Sequence, residues 1–172
     1  MQAGENGAAV LVILAEFEGA DHVLLTQRAA RLKAHAGEVA FPGGKWEPGD
    51  TCLKQTALRE TYEEIGLESD RIEIVGQLPT GHTRYQSSVT PYVGRVSSNV
   101  SLLVNKAELE SFFWVPISFF IEDVRVRTDV FYYRGEEFWA PAYTFEGYLI
   151  WGFTARMMVV LLERYYGVTI VK

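Results

Sequence analysis

The stretch FPGGKWEPGDTCLKQTALRETYEEIGL, residues 41–67, joins a glycine-containing turn to the clearest helix in the sequence. Pro48 and Gly49 break regular structure before the helix, and Asp50 or Thr51 is a plausible N-cap. Gly66 follows the last apolar residue and is a typical helix stop. We therefore predict a helix over residues 51–65.

The far end of this helix carries a concentration of negative charge. Glu60, Glu63 and Glu64 fall within an arc of roughly 100° on a helical wheel, and Arg59 is the only adjacent cation. Like charges one turn apart on a helix cost roughly 0.2–0.5 kcal/mol per pair. The opposite side, which we expect to face the core, is made by Leu58, Thr61, Tyr62 and Ile65.

A solvated acidic face is one explanation of this cluster, although such faces usually mix Glu with Lys. A divalent cation held between the carboxylates is the other, since hard oxygen ligands suit Mg²⁺ or Mn²⁺. Gly43 and Gly44 support the second explanation, because glycine lets the backbone approach a ligand closely. Phosphate oxygens commonly complete the coordination of Mg²⁺. The stretch thus predicts a site for a metal-bound polyphosphate.

Composition indicates an acidic protein with a folded core. The 172 residues are 48% hydrophobic and 22% charged. The formal net charge of -6 argues against general nucleic-acid binding, which usually depends on an excess of Lys and Arg. The single cysteine, Cys52, excludes an internal disulfide and fits a reducing compartment. The apolar runs 8–15 and 149–162 are shorter than the ~18 residues of a membrane span. We expect a cytoplasmic protein without a membrane or nucleic-acid partner.

The rest of the chain is dominated by strand patterns. Residues 8–15 and 22–28 are rich in branched aliphatic side chains and flank a turn, which predicts a hairpin. Residues 108–115 are ambiguous. Further expected elements are strands at 39–41, 72–78 and 89–96, a second hairpin within 124–148, and a helix over 150–166. The pattern predicts a single domain over residues 1–172, of the α+β class or a mixed-sheet sandwich.

The segment from Gly44 to Leu67 resembles the Nudix box, whose pattern is G-x5-E-x7-R-E-U-x-E-E-x-G-U with U an aliphatic residue. The residues from Arg59 onward match except at Thr61, which occupies the first U position. In the first half Asp50 replaces glutamate, and eight residues rather than seven separate it from Arg59. This departure weakens any role for Asp50. The resemblance implies a Nudix-type α/β/α sandwich with a mixed β-sheet between helices.

Other motifs are similar to those of the coenzyme A pyrophosphatase branch of the Nudix family. Residues 24–44 follow its pattern L-L-T-x-R-S-x3-R-x3-G-x3-F-P-G-G, with Ala29 for Ser and Lys33 for Arg. Residues 89–94 and 150–155 resemble its V-T-P-x-V-G and I-W-G-x-T-A segments. The pair Gln86 and Ser87 stands where the branch often carries Gly and an aromatic residue, which leaves the substrate specificity open.

The resemblance implies Mg²⁺- or Mn²⁺-dependent hydrolysis of the pyrophosphate bond of coenzyme A to 3′,5′-ADP and 4′-phosphopantetheine. Glu60 and Glu64 project together from adjacent turns and are the strongest metal-ligand candidates, with Glu63 as a third ligand or the general base. The Gly44 carbonyl is a further candidate ligand, and Arg59 would orient a carboxylate. The candidates for binding the substrate phosphates are Arg28, Lys33, His35 and Arg84.

Three alternatives stay open. Gln86 and Ser87 favour a Nudix enzyme acting on another nucleotide, such as ADP-ribose, NADH or a nucleoside triphosphate. A nucleotide-sensing module without catalysis belongs to a different class, and the repulsive carboxylate cluster argues against it because a binder has no need of it. The sequence also leaves open a homodimer.

Overall fold

The apolar strand β1 (Ala8–Phe17) lies at the centre of the larger sheet in the computed structural model, which describes residues 7–172. It pairs antiparallel with β2 (Ala20–Arg28) on one side and parallel with β7 (Ser88–Arg95) on the other. The strand order is β3-β2-β1-β7-β5, and β4 also pairs with β1, β6 with β7, and β8 with β2. The sheet is therefore mixed.

The remaining elements complete this sheet and add a second one. Those of the larger sheet are β3 (Val39–Ala40), β4 (Gly43–Lys45), β5 (Glu73–Gln77), β6 (Gly81–His82) and β8 (Leu109–Pro116). The smaller sheet, ordered β11-β10-β9, consists of β9 (Arg127–Tyr133), β10 (Glu136–Phe145) and β11 (Tyr148–Ile150). The helices are α1 (Leu53–Ile65), α2 (Ile117–Ile121) and α3 (Gly152–Tyr166), with a 3-10 turn at Ser69–Arg71.

Alternation along β1 divides the core into two layers. Leu11 and Ile13 pack in one apolar cluster with Ala57 and Ile65 of α1. Val12 and Leu14 point to the other face, where the cluster includes α3 residues such as Met158. Successive strand side chains point to opposite faces, so one strand supplies both layers. The mixed sheet thus lies between helices, which confirms the predicted α+β class and its sandwich arrangement.

The predicted helix exists, but its first turn and one face differ from expectation. The N-cap is Cys52, without a side-chain capping bond, and α1 begins at Leu53. Thr51 cannot cap it in the expected way, because its backbone N–H and its hydroxyl both donate to the Gln55 side chain. The Asp50 side chain is engaged elsewhere, as described below. Tyr62 is half exposed rather than packed in the core.

The other predicted elements are found with small shifts of their ends. The predicted hairpin within 124–148 is formed by β9 and β10, whose registered pairs run from Arg127–Ala142 to Tyr133–Glu136. The ambiguous segment is strand β8, and the final helix begins at Gly152. Within residues 7–172 no helix is long and apolar enough to cross a lipid bilayer.

Candidate active site

The glycine pair of the opening stretch forms β4, directly beside β1 and α1. A Cβ atom on Gly43 would lie 2.3 Å from the carbonyl oxygen of Ala9, so only glycine fits against β1 there. A Cβ atom on Gly44 would lie 2.5 Å from the carboxyl carbon of Glu60. The two glycines therefore bring a strand of backbone into contact with the acidic end of α1.

Three carboxylates meet next to this backbone. Glu60 and Glu64 project from α1, and Glu108 comes from the loop before β8. One oxygen from each of the three lies within 4.8 Å of the others. The Glu108 carbonyl accepts from Ala29 N–H at 2.9 Å, which fastens the loop to the end of β2. In the same loop, Asn105 N–H donates to the Glu64 carbonyl at 2.8 Å.

The pKa values in this cluster show that its carboxylates lack a nearby compensating positive charge. Burial, followed by the charges of Glu60 and Glu108, raises the pKa of Glu64 to about 8. Burial also raises the pKa of Glu60. Arg28 lowers the Glu64 pKa, but only as a lesser effect. Clustered carboxylate oxygens are the donor set that Mg²⁺ and Mn²⁺ prefer. The residues present therefore fit a divalent metal ion.

Arg59 connects the cluster to the start of α1 through Asp50. The Arg59 guanidinium donates from Nε and Nη2 to the two Asp50 carboxylate oxygens, both at 2.9 Å. Thr56 Oγ1 and Glu47 N–H also donate to Asp50 Oδ2, at 2.9 and 3.1 Å. The Asp50 side chain is only 3% exposed, and the Arg59 guanidinium lowers its pKa to about 2. Asp50 therefore anchors Arg59 despite its departure from the Nudix pattern, a structural contact that the sequence did not predict.

The other end of the Arg59 guanidinium contacts the acidic face. Its Nη1 donates to Glu60 Oε1 at 3.1 Å and to both Glu63 oxygens at 3.3 Å. Glu63 is about half exposed, with 45% of its side chain accessible, and it lies outside the trio formed by Glu60, Glu64 and Glu108. The structure therefore separates the three predicted glutamates into two inner ligand candidates and one outer carboxylate.

The predicted phosphate-binding side chains occupy different positions. Arg28 ends β2, and its buried Nε has no hydrogen-bond partner among the described residues. Lys33 is exposed in the loop that follows. His35 and Arg84, distant in sequence, are joined by Glu38. His35 Nδ1 lies 2.9 Å from one Glu38 oxygen, and Arg84 Nη2 donates to the other at 2.8 Å.

Aromatic rings hold Arg84 in place. Its guanidinium carbon lies 4.8 Å from the centre of the Tyr85 ring and 5.0 Å from that of Trp151. Tyr85 also packs edge-on against His35, with ring centres 5.1 Å apart. Gln86 and Ser87 belong to the turn between β6 and β7, where Gln86 N–H donates to the Thr83 carbonyl at 2.8 Å. The turn that contains Gln86 and Ser87 therefore directly follows Arg84 and Tyr85, whose side chains contact His35, Glu38 and Trp151.

Comparisons with known proteins agree with this arrangement. A model of the NUDIX domain matches residues 5–134. Peroxisomal coenzyme A diphosphatase ndx-8 of Caenorhabditis elegans is 34% identical over 163 residues, which cover 92% of this chain and 68% of that protein. An uncharacterized Nudix hydrolase NudL of Citrobacter koseri is 38% identical over 133 residues, covering 77% of this chain and 69% of that protein.

Coverage is lower for another relative. Nudix hydrolase 3 of C. elegans is 43% identical over 116 residues, which cover 65% of this chain and only 48% of that protein.

Among solved structures, a C. elegans Ap4A hydrolase binary complex aligns with a TM-score of 0.56 and 25% identity, covering 67% of this chain and 83% of that one. A hydrolase from M. Smegmatis, RenU, has the same TM-score at 24% identity, covering 67% and 73% of the two chains, and shows likeness of fold.

Proposed function

The chain belongs to the Nudix family, and on that premise we propose that it hydrolyses the pyrophosphate bond of coenzyme A or its derivatives. The products are 3′,5′-ADP and 4′-phosphopantetheine. The observation that carries the proposal is the trio Glu60, Glu64 and Glu108 beside the glycine backbone of β4. The name of the ndx-8 relative, a coenzyme A diphosphatase that aligns over 92% of this chain, supports the choice of substrate.

The metal site that we propose is held by Glu60, Glu64 and Glu108, with the Gly44 carbonyl as a further candidate ligand. Mg²⁺ or Mn²⁺ bound there would neutralise phosphate oxygens and lower the pKa of a coordinated water molecule. The raised pKa values of Glu60 and Glu64 support this assignment, since burial has left both carboxylates short of compensating positive charge.

Beside the metal ion, the protein's own residues then have two tasks. Glu63 is the proposed general base, because it is accessible to solvent and its carboxylate is oriented by Arg59. It would accept a proton as the water oxygen forms a bond to one phosphorus. The bond from that phosphorus to the bridging oxygen breaks, and the leaving phosphate keeps the electron pair. Arg59, anchored by Asp50, holds the acidic end of α1 in a fixed orientation.

We assign the substrate phosphates to the basic side chains Arg28, Lys33, His35 and Arg84. Arg28 is the strongest candidate, because its charge is felt at Glu64 and its buried Nε lacks a partner within residues 7–172. An unpaired buried donor is costly, and a phosphate oxygen would satisfy it. Arg84 and His35 form a second group around Glu38, and Lys33 adds an exposed charge. Two separate groups of basic side chains suit a substrate such as coenzyme A, which carries a pyrophosphate and a separate 3′-phosphate.

A panel of substrates tests the proposal. Turnover of coenzyme A, ADP-ribose, NADH, Ap4A and dGTP is compared as kcat/KM with Mg²⁺ or Mn²⁺ present. We expect coenzyme A to be preferred and its two products to form in equal amounts. Ap4A is the substrate in the name of the aligned C. elegans hydrolase. If Ap4A were preferred, the enzyme would be a dinucleotide hydrolase instead. Thermal stabilisation by a nucleotide without any product would favour a nucleotide-sensing module without catalysis.

A cytoplasmic location also stays a proposal, as one relative is named peroxisomal.

A further inference from the structure

Arg84 is a half-exposed arginine that lies against two aromatic rings and leaves most of its hydrogen-bond donors unused. Its side chain is 53% exposed, and its guanidinium contacts the rings of Tyr85 and Trp151. Within residues 7–172 this side chain makes one hydrogen bond, from Nη2 to Glu38. A guanidinium carries five N–H donors, so those on Nε and Nη1 are free to bind a ligand. Stacking on the rings holds the plane of these donors in place.

Glu38 joins Arg84 to the candidate active site. Its carboxylate accepts from Arg84, and its backbone carbonyl accepts from Arg28 N–H at 2.9 Å. Gly37 N–H donates in return to the Arg28 carbonyl at 3.1 Å. Arg28 is the arginine whose charge acts on Glu64, next to the proposed metal site. The two arginines therefore contact the same residue, and Arg28 is the one associated with the carboxylate trio.

The turn that carries Arg84 is closed by its own hydrogen bonds. Thr83 N–H donates to the Ser87 carbonyl at 3.0 Å, and Gln86 N–H donates to the Thr83 carbonyl at 2.8 Å. Gln86 has a φ of 62°, in the left-handed region that favours glycine. Strained residues of this kind persist where the surrounding structure fixes them, often at ligand-binding sites. The chain therefore keeps the turn beside Arg84 at the cost of a strained residue.

The free donors of Arg84 suit a phosphate group. Guanidinium N–H groups form strong, charge-assisted hydrogen bonds with phosphate oxygens. Glu38 occupies a single donor and orients the guanidinium, so binding of a phosphate to Nε and Nη1 leaves that contact intact. His35 supports the arrangement, because it lies 2.9 Å from the other Glu38 oxygen and packs edge-on against Tyr85. Preorganised donors of this kind bind more tightly, since less freedom is lost on binding.

We propose that Arg84 binds the 3′-phosphate of coenzyme A and makes the enzyme selective for coenzyme A over dephospho-coenzyme A. This assignment rests on the proposed function, in which Arg28 and the metal ion bind the pyrophosphate. In coenzyme A one ribose carries the pyrophosphate on its 5′ oxygen and the lone phosphate on its 3′ oxygen, so the groups that bind them have to be neighbours. Arg28 and Arg84 meet this requirement through their shared contact with Glu38.

Steady-state kinetics with coenzyme A and dephospho-coenzyme A tests the proposal, because these substrates differ only in the 3′-phosphate. The wild type should have a KM about 10–100-fold lower for coenzyme A, the range expected for hydrogen bonds between charged groups, with similar kcat. Arg84→Gln should raise the KM of coenzyme A to that of dephospho-coenzyme A and leave the latter unchanged. Arg71→Gln, an exposed arginine in the 3-10 turn, is the matched control and should behave as the wild type. Equal KM values in the wild type, or an equal loss for both substrates in Arg84→Gln, would overturn the proposal.

Binding of products separates this proposal from the proposed function, since it needs no turnover. 3′,5′-ADP and 5′-AMP differ in the same phosphate, and calorimetry with Mg²⁺ present measures the affinity of each. The wild type should bind 3′,5′-ADP about tenfold or more tightly, and Arg84→Gln should bind both equally. If neither coenzyme A nor its dephospho form is cleaved, the proposed function fails, whereas a preference for 3′,5′-ADP that depends on Arg84 still supports the phosphate site. Equal affinities in the wild type would overturn the phosphate site even if coenzyme A is hydrolysed.

Discussion

Replacing Asp50 with asparagine tests whether a buried ion pair holds the candidate site together. The change keeps the size of the side chain, removes its charge and replaces one acceptor oxygen by a donor. Arg59 then loses a bidentate partner whose two contacts are both 2.9 Å long. The Thr56 hydroxyl and the Glu47 N–H also lose a charged acceptor. We expect a large loss of stability and a misplaced guanidinium beside Glu60.

The magnitude follows from the pKa of Asp50. The folded protein lowers it from 3.8 to about 2. At about 1.36 kcal/mol per pH unit, this difference corresponds to about 2.5 kcal/mol of stability at neutral pH. For a chain of this length each kcal/mol shifts Tm by roughly 2–4 °C. Asp50→Asn should therefore lower Tm by about 5–10 °C.

The sign of the pH dependence is set by the same carboxylate. Its folded pKa is below its unfolded pKa, so its contribution is fully present above pH 3.8 and is lost as the pH falls towards 2. Asparagine does not titrate. The difference in unfolding free energy between the wild type and Asp50→Asn should thus be constant between pH 6 and 7, on the order of the value above, and should shrink below about pH 4.

Thermal unfolding followed by circular dichroism measures both effects, and Glu47→Gln is the matched control. Glu47 also faces Arg59, with its carboxylate 3.8 Å from Nη1, but its side chain is 65% exposed. An exposed pair is expected to contribute less than about 1 kcal/mol. Equal losses of Tm in the two variants, or a difference that does not change with acid, would refute the role given to Asp50.

The carboxylate trio gives further predictions. Gly44→Ala places a methyl group where the Glu60 carboxylate lies, so kcat/KM should fall on the order of 100-fold with little change in Tm; steady-state kinetics and thermal unfolding check both. Glu64→Gln removes a carboxyl group whose ionised form is disfavoured by burial, so without metal its Tm at neutral pH should rise, while stabilisation by Mn²⁺ should vanish in the same assay. Glu108→Gln should weaken Mn²⁺ binding by calorimetry about tenfold or more, whereas the exposed control Glu110→Gln should not; equal affinities would exclude Glu108 as a ligand.

Local patterns in the sequence were sufficient to predict the fold class and the proximity of Glu60 and Glu64 in the candidate site. The continuous apolar run of β1 and the stop signal at Gly66 describe neighbours in the chain, and these are what local sequence patterns report. Glu60 and Glu64 were found by the same reasoning, because four residues make one helical turn. The sequence did not predict the N-cap at Cys52, because the start of α1 depends on the loop before it. Nor did it predict the exposure of Tyr62, which depends on how the helix packs.

Contacts between distant residues could not be predicted in this way. Glu108 belongs to the segment whose pattern was ambiguous, and it joins α1 only because its loop is fastened to Ala29 and Glu64. Glu38 carries no motif, although it links His35 to Arg84. Asp50 was discounted because of its spacing from Arg59. The extra residue before Arg59 does not break the contact, since both guanidinium bonds to Asp50 are well formed.

The parallel pairing of β1 with β7 has a consequence for when the site comes into being. Ala8 lies beside Val89, and parallel neighbours need a long crossover, here one that contains α1. Such distant pairing is slow to form because the intervening chain must first be ordered. During synthesis Glu108 emerges later still, and domains generally fold as units. A nascent chain that ends before this residue lacks the third carboxylate, so tight binding of the proposed metal ion requires synthesis to continue past Glu108.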